Sequence, residues 1–364
     1  MRFFILVYLL TNFFSNIFTQ NILDISGHFF NSFGVVYFDD VSFLKDTSYL
    51  GISTLRLNFI NEFKNFIKID GSTDFSILYG FYSELFSRLE NSTKLNDNVF
   101  LEVNVRKLYI MFKYSLLDIY LGRQLLKFGE GYIFSPLNQF SKIDLKDISF
   151  SRIGSDSLRV KIQFSDTGYF EKIIISDFKS TDYVLKLNSL VWNLDTSVVS
   201  IYHKKLNWLS FGFSLKGDLV LGIWSEVLYN FAQDISKNFY SYLVGVDYSF
   251  LEKILCRIEY IYNSYNIENF LQEVMYLSNY PFISENYLAT QIEFIFDFFN
   301  NLTLLSITNL TNNSNFFIFS YKRNLLQNLD LSFTLRYTTK NFFGIKDFLD
   351  FKMLTFLIGL NIKY

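Results

Sequence analysis

From residue 22 onward the dominant period of apolar and polar residues is two, and this period decides what the chain can fold into. Leu158, Val160, Ile162 and Phe164 alternate with Arg159, Lys161 and Gln163. Leu331, Phe333, Leu335 and Tyr337 alternate with Ser332, Thr334, Arg336 and Thr338, and Ile254, Cys256, Ile258 and Tyr260 with Leu255, Arg257 and Glu259. A period of two is the strand period, with one apolar face per strand. The runs are about ten residues long. At roughly 3.3 Å per residue and a tilt near 45°, such a run covers about 24 Å, the height of the apolar band of a membrane β-barrel.

Marking every run gives about eighteen strands, with sixteen as the alternative count. The connectors alternate in character. Short ones fall near Asn61 to Lys64, Lys113 to Ser115, Asp166 and Thr167, Lys216 and Gly217, Leu251 and Glu252, and Asn300. All the long ones, 39–48, 81–97, 126–155, 265–286 and 340–351, lie among the intervening set. Short turns on one rim and long loops on the other are the pattern of a transmembrane barrel. Both prolines, Pro136 and Pro281, fall in long loops, where no ladder donor is lost. A soluble β-sandwich or β-helix would also alternate, but it needs one shared core. The 45 Phe and 25 Tyr, spread over every run with no internal repeat, suit an outward apolar belt better. The fold class expected is therefore all-β, a transmembrane antiparallel up-and-down β-barrel formed by residues 21–364 as one domain.

The two ends of the chain agree with an exported barrel. Residues 1–20 begin with Arg2, continue with the apolar stretch Phe3 to Leu10 and close on the polar stretch Ser15 to Gln20, the layout of a secretory signal peptide. Thr11, Asn12, Ser15 and Asn16 interrupt it too early for the roughly 20 apolar positions of a membrane helix. At the other end Phe356, Ile358, Leu360, Ile362 and Tyr364 alternate with Leu357, Gly359, Asn361 and Lys363. This resembles the terminal strand by which the barrel-assembly machinery of diderm bacteria recognises its clients. The expected location is the bacterial outer membrane, with lipid and that machinery as partners.

If the apolar alternates face lipid, the polar ones line a lumen. Arg56, Lys68, Arg106, Arg159, Lys161, Lys186, Arg257, Arg336 and Lys363 would stand there with Asp70, Glu102, Asp118, Asp247, Glu259, Glu293 and Asp297. Barrels of about 16–18 strands leave a bore, and with the signs nearly balanced no strong ion selectivity is expected. Other chemistry finds little support. Nucleophilic catalysis needs a base beside a nucleophile, and neither of the two histidines, His28 and His203, has a serine-centred motif nearby. No phosphate-loop, zinc-protease or calcium-loop spacing occurs, and Cys256 is the single cysteine. No catalytic residue, cofactor or metal is expected. The formal charge of −2 gives no reason to expect a nucleic-acid partner.

One stretch breaks the rhythm. Between the run ending at Leu125 and the run opening at Ser157 lie about thirty residues without a period, carrying Phe128, Tyr132, Ile133, Phe134 and Phe140. That is too much apolar material for a solvated tail. Gly122-Arg123-Gln124, Phe128-Gly129-Glu130-Gly131, Pro136, Phe140 and then Arg152-x-Gly154-x-Asp156-x-Leu158-Arg159 resemble a pattern in porin-like bacterial outer-membrane barrels. Phe128, Ser135 and Asn138 depart from the residues common there.

The resemblance implies a passive or weakly selective channel for small hydrophilic solutes or ions. The alternative is a closed barrel serving as an adhesin or structural surface protein. The loop 126–155 is expected to turn inward and narrow the bore, with Arg123, Gln124, Glu130, Asp144, Asp147, Arg152, Asp156 and Arg159 as candidate constriction residues. Arg123 raises a question of parity: it shares the face of Ile119 and Leu121, so it reaches the lumen only if the strand ends or bulges before it.

Overall fold

The computed structural model describes residues 24–39, 47–63, 66–80, 92–96, 98–140, 142–143, 152–176, 180–218, 220–233, 238–264, 284–339 and 352–364. The expected signal peptide, residues 1–20, and the candidate residues Asp144 and Asp147 lie outside them. Eighteen strands make the wall: β1 Asp24–Asp39, β2 Thr47–Phe63, β3 Ile67–Gly80, β4 Val99–Tyr114, β5 Leu117–Gln124, β6 Ser155–Gln163, β7 Tyr169–Ser176, β8 Thr181–Val191 and β9 Leu194–His203. They continue as β10 Trp208–Asp218, β11 Gly222–Phe231, β12 Phe239–Phe250, β13 Ile254–Asn263, β14 Asn286–Ile295, β15 Asn300–Asn309, β16 Ser314–Leu326, β17 Leu329–Thr338 and β18 Lys352–Lys363. Each pairs antiparallel with its sequence neighbours, and β1 pairs with β18, from His28 opposite Lys363 to Asp39 opposite Lys352. The result is a closed antiparallel barrel of eighteen strands. A short strand, Ser92–Asn96, extends the hairpin ahead of β4, and Lys142–Ile143 pairs with Arg152–Ile153.

The alternation read in the sequence is the alternation of faces. On β1, Phe33, Val35 and Tyr37 are exposed on the outer surface while Val36 and Phe38 are buried inside. On β11, Val227 and Tyr229 point out while Trp224, Glu226 and Leu228 are buried. Two-residue connections sit on the short-turn rim with both central residues at positive φ: Trp192 and Asn193 at 51° and 62°, Leu251 and Glu252 at 49° and 57°. Such turns follow the twist of the strands they join.

Two connectors differ from the sequence reading. Lys216 and Gly217 are strand residues, since β10 runs on to Asp218. The turn expected at Asn300 lies at 296–299, where Asp297 accepts hydrogen bonds from the backbone amides of Phe299 and Asn300 (2.7 and 2.8 Å). Asp297 is thus a turn residue and not part of the lumen lining. The Asn300 side chain and these amides hold its carboxyl below the usual carboxylate range.

Candidate functional site

A segment without regular structure, residues 125–140, lies inside the barrel. A buried backbone without a ladder must find partners for its N–H groups, and here three side chains supply them. Glu226, on the inner face of β11, accepts from the amides of Glu130 and Gly131 (both 2.6 Å), from Ser135 Oγ (2.8 Å) and from the Leu137 amide (3.4 Å). Glu259, on the inner face of β13, accepts from the amides of Tyr132, Ile133 and Phe134 (2.6, 2.8 and 2.9 Å) and from Trp224 Nε1 (2.9 Å). Asn138 Oδ1 takes the amides of Phe128 and Gly129 (2.7 and 3.2 Å). Seven consecutive amides, 128 to 134, are therefore satisfied by one loop side chain and two wall carboxylates. Both carboxylates are fully buried. Charge-assisted hydrogen bonds of this kind are about twice as strong as neutral ones, which offsets much of the desolvation cost.

The apolar residues of the loop complete the attachment. Phe128, Phe134 and Leu137 are almost completely buried. Leu126, Phe128, Leu137 and Phe140 pack on Ile173, Ile175, Val184, Val199, Ile201 and Leu228, all inward residues of β7 to β11. Ile133 and Phe134 pack on Trp224, Leu243, Ile261 and Tyr287. Each buried side chain of this size is worth about 1.5–3 kcal/mol. Leu137 fits because the wall carries Gly212 opposite it, where a Cβ would overlap its Cδ2. At the far end Phe140 stacks on His203 (5.4 Å between centroids), and His203 Nε2 lies 2.8 Å from Gln139 Oε1. The loop thus lines the wall from β7 to β14.

Among the described residues, nothing fills the opposite half of the lumen. A cavity of about 670 Å³ lies between Tyr132 and Ile133 of the loop and a polar wall that includes Arg56, Asp74, Asn104, Lys322, Asp330 and Asn361. Tyr132 presents its ring to this space. The Arg257 guanidinium stands 3.7 Å from the ring centroid, and Lys216 Nζ is 3.1 Å from its hydroxyl. Across the cavity Arg56 grips Asp74 through two hydrogen bonds of 2.5 and 2.7 Å.

The candidate residues from the sequence scatter. Arg123 and Asp156 form a two-point ion pair (2.9 and 2.7 Å) on facing positions of β5 and β6. Leu108 and Leu121, of the same parity, are exposed on the outer wall, so the pair belongs to the outer face and not to the constriction. Gly122, at φ 121°, does not shift the register. Gln124 is buried and bonds the carbonyls of Ser157 and Gly122. Glu130 sits on the loop, its carboxylate 3.5 Å from Lys127 and its amide on Glu226. Arg152 offers its carbonyl to Arg106 (2.9 Å). Arg159 faces the lumen, paired with Glu171 and stacked on Tyr120. Glu226 and Lys216 are absent from the residues expected from the sequence: the alternation places each on an inward face but does not mark it as a partner of the loop.

No family model matches the sequence, and no curated protein is detectably similar to it. Solved structures match the fold over nearly the whole chain. OccK11 (OpdR) of Pseudomonas aeruginosa superposes with a TM-score of 0.60 at 7% identity, covering 94% of this chain and 95% of that one. OccAB4 of Acinetobacter baumannii gives 0.57 at 11%, covering 95% and 99%. A variant of the Rh. blastica porin gives 0.50 at 9%, covering 94% and 100%. The barrel is porin-like in architecture.

Proposed function

We propose that the chain is an outer-membrane channel through which small hydrophilic solutes or ions diffuse. The observation that carries this reading is the arrangement inside the barrel: an inward loop covers one half of the wall and leaves a polar, water-accessible space of about 670 Å³ on the other. A barrel wide enough for a bore, apolar outside and polar within, suits passage through lipid without covalent chemistry. The loop sets the width of the passage, with Tyr132, Arg257 and Lys216 on one side and Arg56 with Asp74 on the other. The short-turn rim, which carries the end of β18, faces the periplasm and the long loops face outward. Small solutes are the partners of the lumen and outer-membrane lipid that of the wall.

Purified protein reconstituted in a planar bilayer gives stepwise conductance on this reading. A folded, inserted barrel with no conductance overturns it in favour of a closed surface barrel. Removing residues 128–140 raises the step size; an unchanged step places the constriction elsewhere.

A further inference from the structure

The formal charges of the lumen nearly cancel, but the two signs do not stand at the same depth. Asp74 is 6% exposed against 20% for its partner Arg56, and Asp70 is 8% exposed against 27% for Lys107. Glu171 is 3% exposed against 23% for Arg159. Asp330, at 3%, is flanked by Lys322 at 48% and Lys363 at 52%, with contacts of 3.1 and 3.0 Å. Glu226 and Glu259 lie wholly beneath the loop, their oxygens occupied by its amides. The cause is chain length: a short carboxylate stays beside the backbone, while a lysine or arginine stem carries its charge toward water. Among the described pairs of the lumen three run the other way: Glu62 with Lys68 beside the short-turn rim, Asp182 with His203 beneath the loop and, by a small margin, Asp247 with Arg257.

We propose that the channel favours small anions over cations, because the wall it leaves open presents cations to the water and holds their counter-charges behind them. Arg56, Lys107, Arg159, Lys322 and Lys363 all stand on β16–β18 and β2–β6, the half not covered by the loop. On the loop side Arg257 and Lys216 flank Tyr132. Of these cations Arg56 and Lys322 line the cavity on the open side and Arg257 on the loop side; Asp74 and Asp330 also reach its wall but are the more buried members of their pairs. Rings of exposed charge set ion preference. The inference rests on the channel reading above.

The test is the reversal potential of the full-length protein in a planar bilayer under a potassium chloride gradient. The expected chloride-to-potassium permeability ratio is above about 2, because the exposed charges along the open wall are cationic. Replacing both flanking lysines, K322Q with K363Q, leaves Asp330 without these two cations and lowers the ratio at least about twofold. K172Q, on the outer face beside Val160 and Leu185, leaves it unchanged. A wild-type ratio at or below 1, or a ratio unmoved by K322Q with K363Q, overturns the anion preference and leaves the channel standing. Absence of current overturns the channel reading itself.

Discussion

Glu226 and Glu259 divide five consecutive backbone amides between them, Glu226 taking residues 130 and 131 and Glu259 taking 132 to 134. Every oxygen of the two carboxylates accepts at least one bond from the loop or from Trp224. Glutamine keeps the shape but turns an NH2 group toward one of these donors, leaving about 1–3 kcal/mol of unmet hydrogen bonding per site. E226Q and E259Q are each expected to lower thermal stability and to make single-channel current noisier. Combining them is expected to raise mean conductance as the loop leaves the wall, and current recordings beside melting curves read both effects.

Asn138 performs the same service from within the loop. N138A removes the acceptor for the Phe128 and Gly129 amides, both buried. The expected loss is about 1–3 kcal/mol, with faster protease cleavage between residues 126 and 140 as the sensitive readout. Equal cleavage in N138A and wild type contradicts the assignment.

Gly131 lies at a close backbone approach within the loop. A Cβ there would overlap the Phe134 carbonyl oxygen, a backbone atom that cannot move aside, and would press on Leu243. G131A is expected to disturb the turn that aims residues 132–134 at Glu259. Its conductance should shift in the same direction as that of the E226Q/E259Q double variant, measured side by side in one bilayer series.

Much of this architecture is legible in the residues, for a physical reason. A strand between lipid and water must repeat its polarity every second residue, so Leu158 to Phe164 or Leu331 to Tyr337 announce themselves. The apolar content of the loop likewise states that Phe128, Phe134 and Phe140 require burial. The partners of its amides are a different matter. Glu226 looks like any other polar alternate of β11, and only the arrival of a loop from about ninety positions earlier distinguishes it. Lys216 followed by Gly217 looks like a turn, and Phe296 and Phe298 carry the alternation of β14 past its true end. Hydrophobic period fixes faces well and strand ends poorly, because the residues just beyond a ladder keep the same composition.

The turn at Asp297 provides a pH signature outside the wall. Its carboxyl is held below the usual range by the Asn300 side chain and the Phe299 amide. A carboxylate with a lowered folded pKa stabilises above its unfolded pKa, and the contribution fades as pH falls through the folded value. D297A is therefore expected to be less stable than wild type at neutral pH. The two melting temperatures should converge as the pH falls below the ordinary carboxylate range, in melts run from pH 7 to pH 2.

Arg123 and Asp156 carry the most direct separation of stability from conduction. The motif that contains them invites a role in the pore, but their facing positions on β5 and β6 set them on the outer wall, among exposed Leu108, Leu121 and Leu158. Each satisfies the other through two hydrogen bonds, and Arg123 also reaches the Val105 carbonyl (3.3 Å). In a lipid-facing setting an arginine without its partner costs about 2–4 kcal/mol at the bilayer midplane and about 0–1 near the interface. D156A is expected to be destabilised by an amount that reports the depth of the pair, and R123L with D156L to recover most of the loss. Single-channel conductance and reversal potential should match wild type in both variants. A conductance change in D156A while the barrel remains folded would return this ion pair to the lumen.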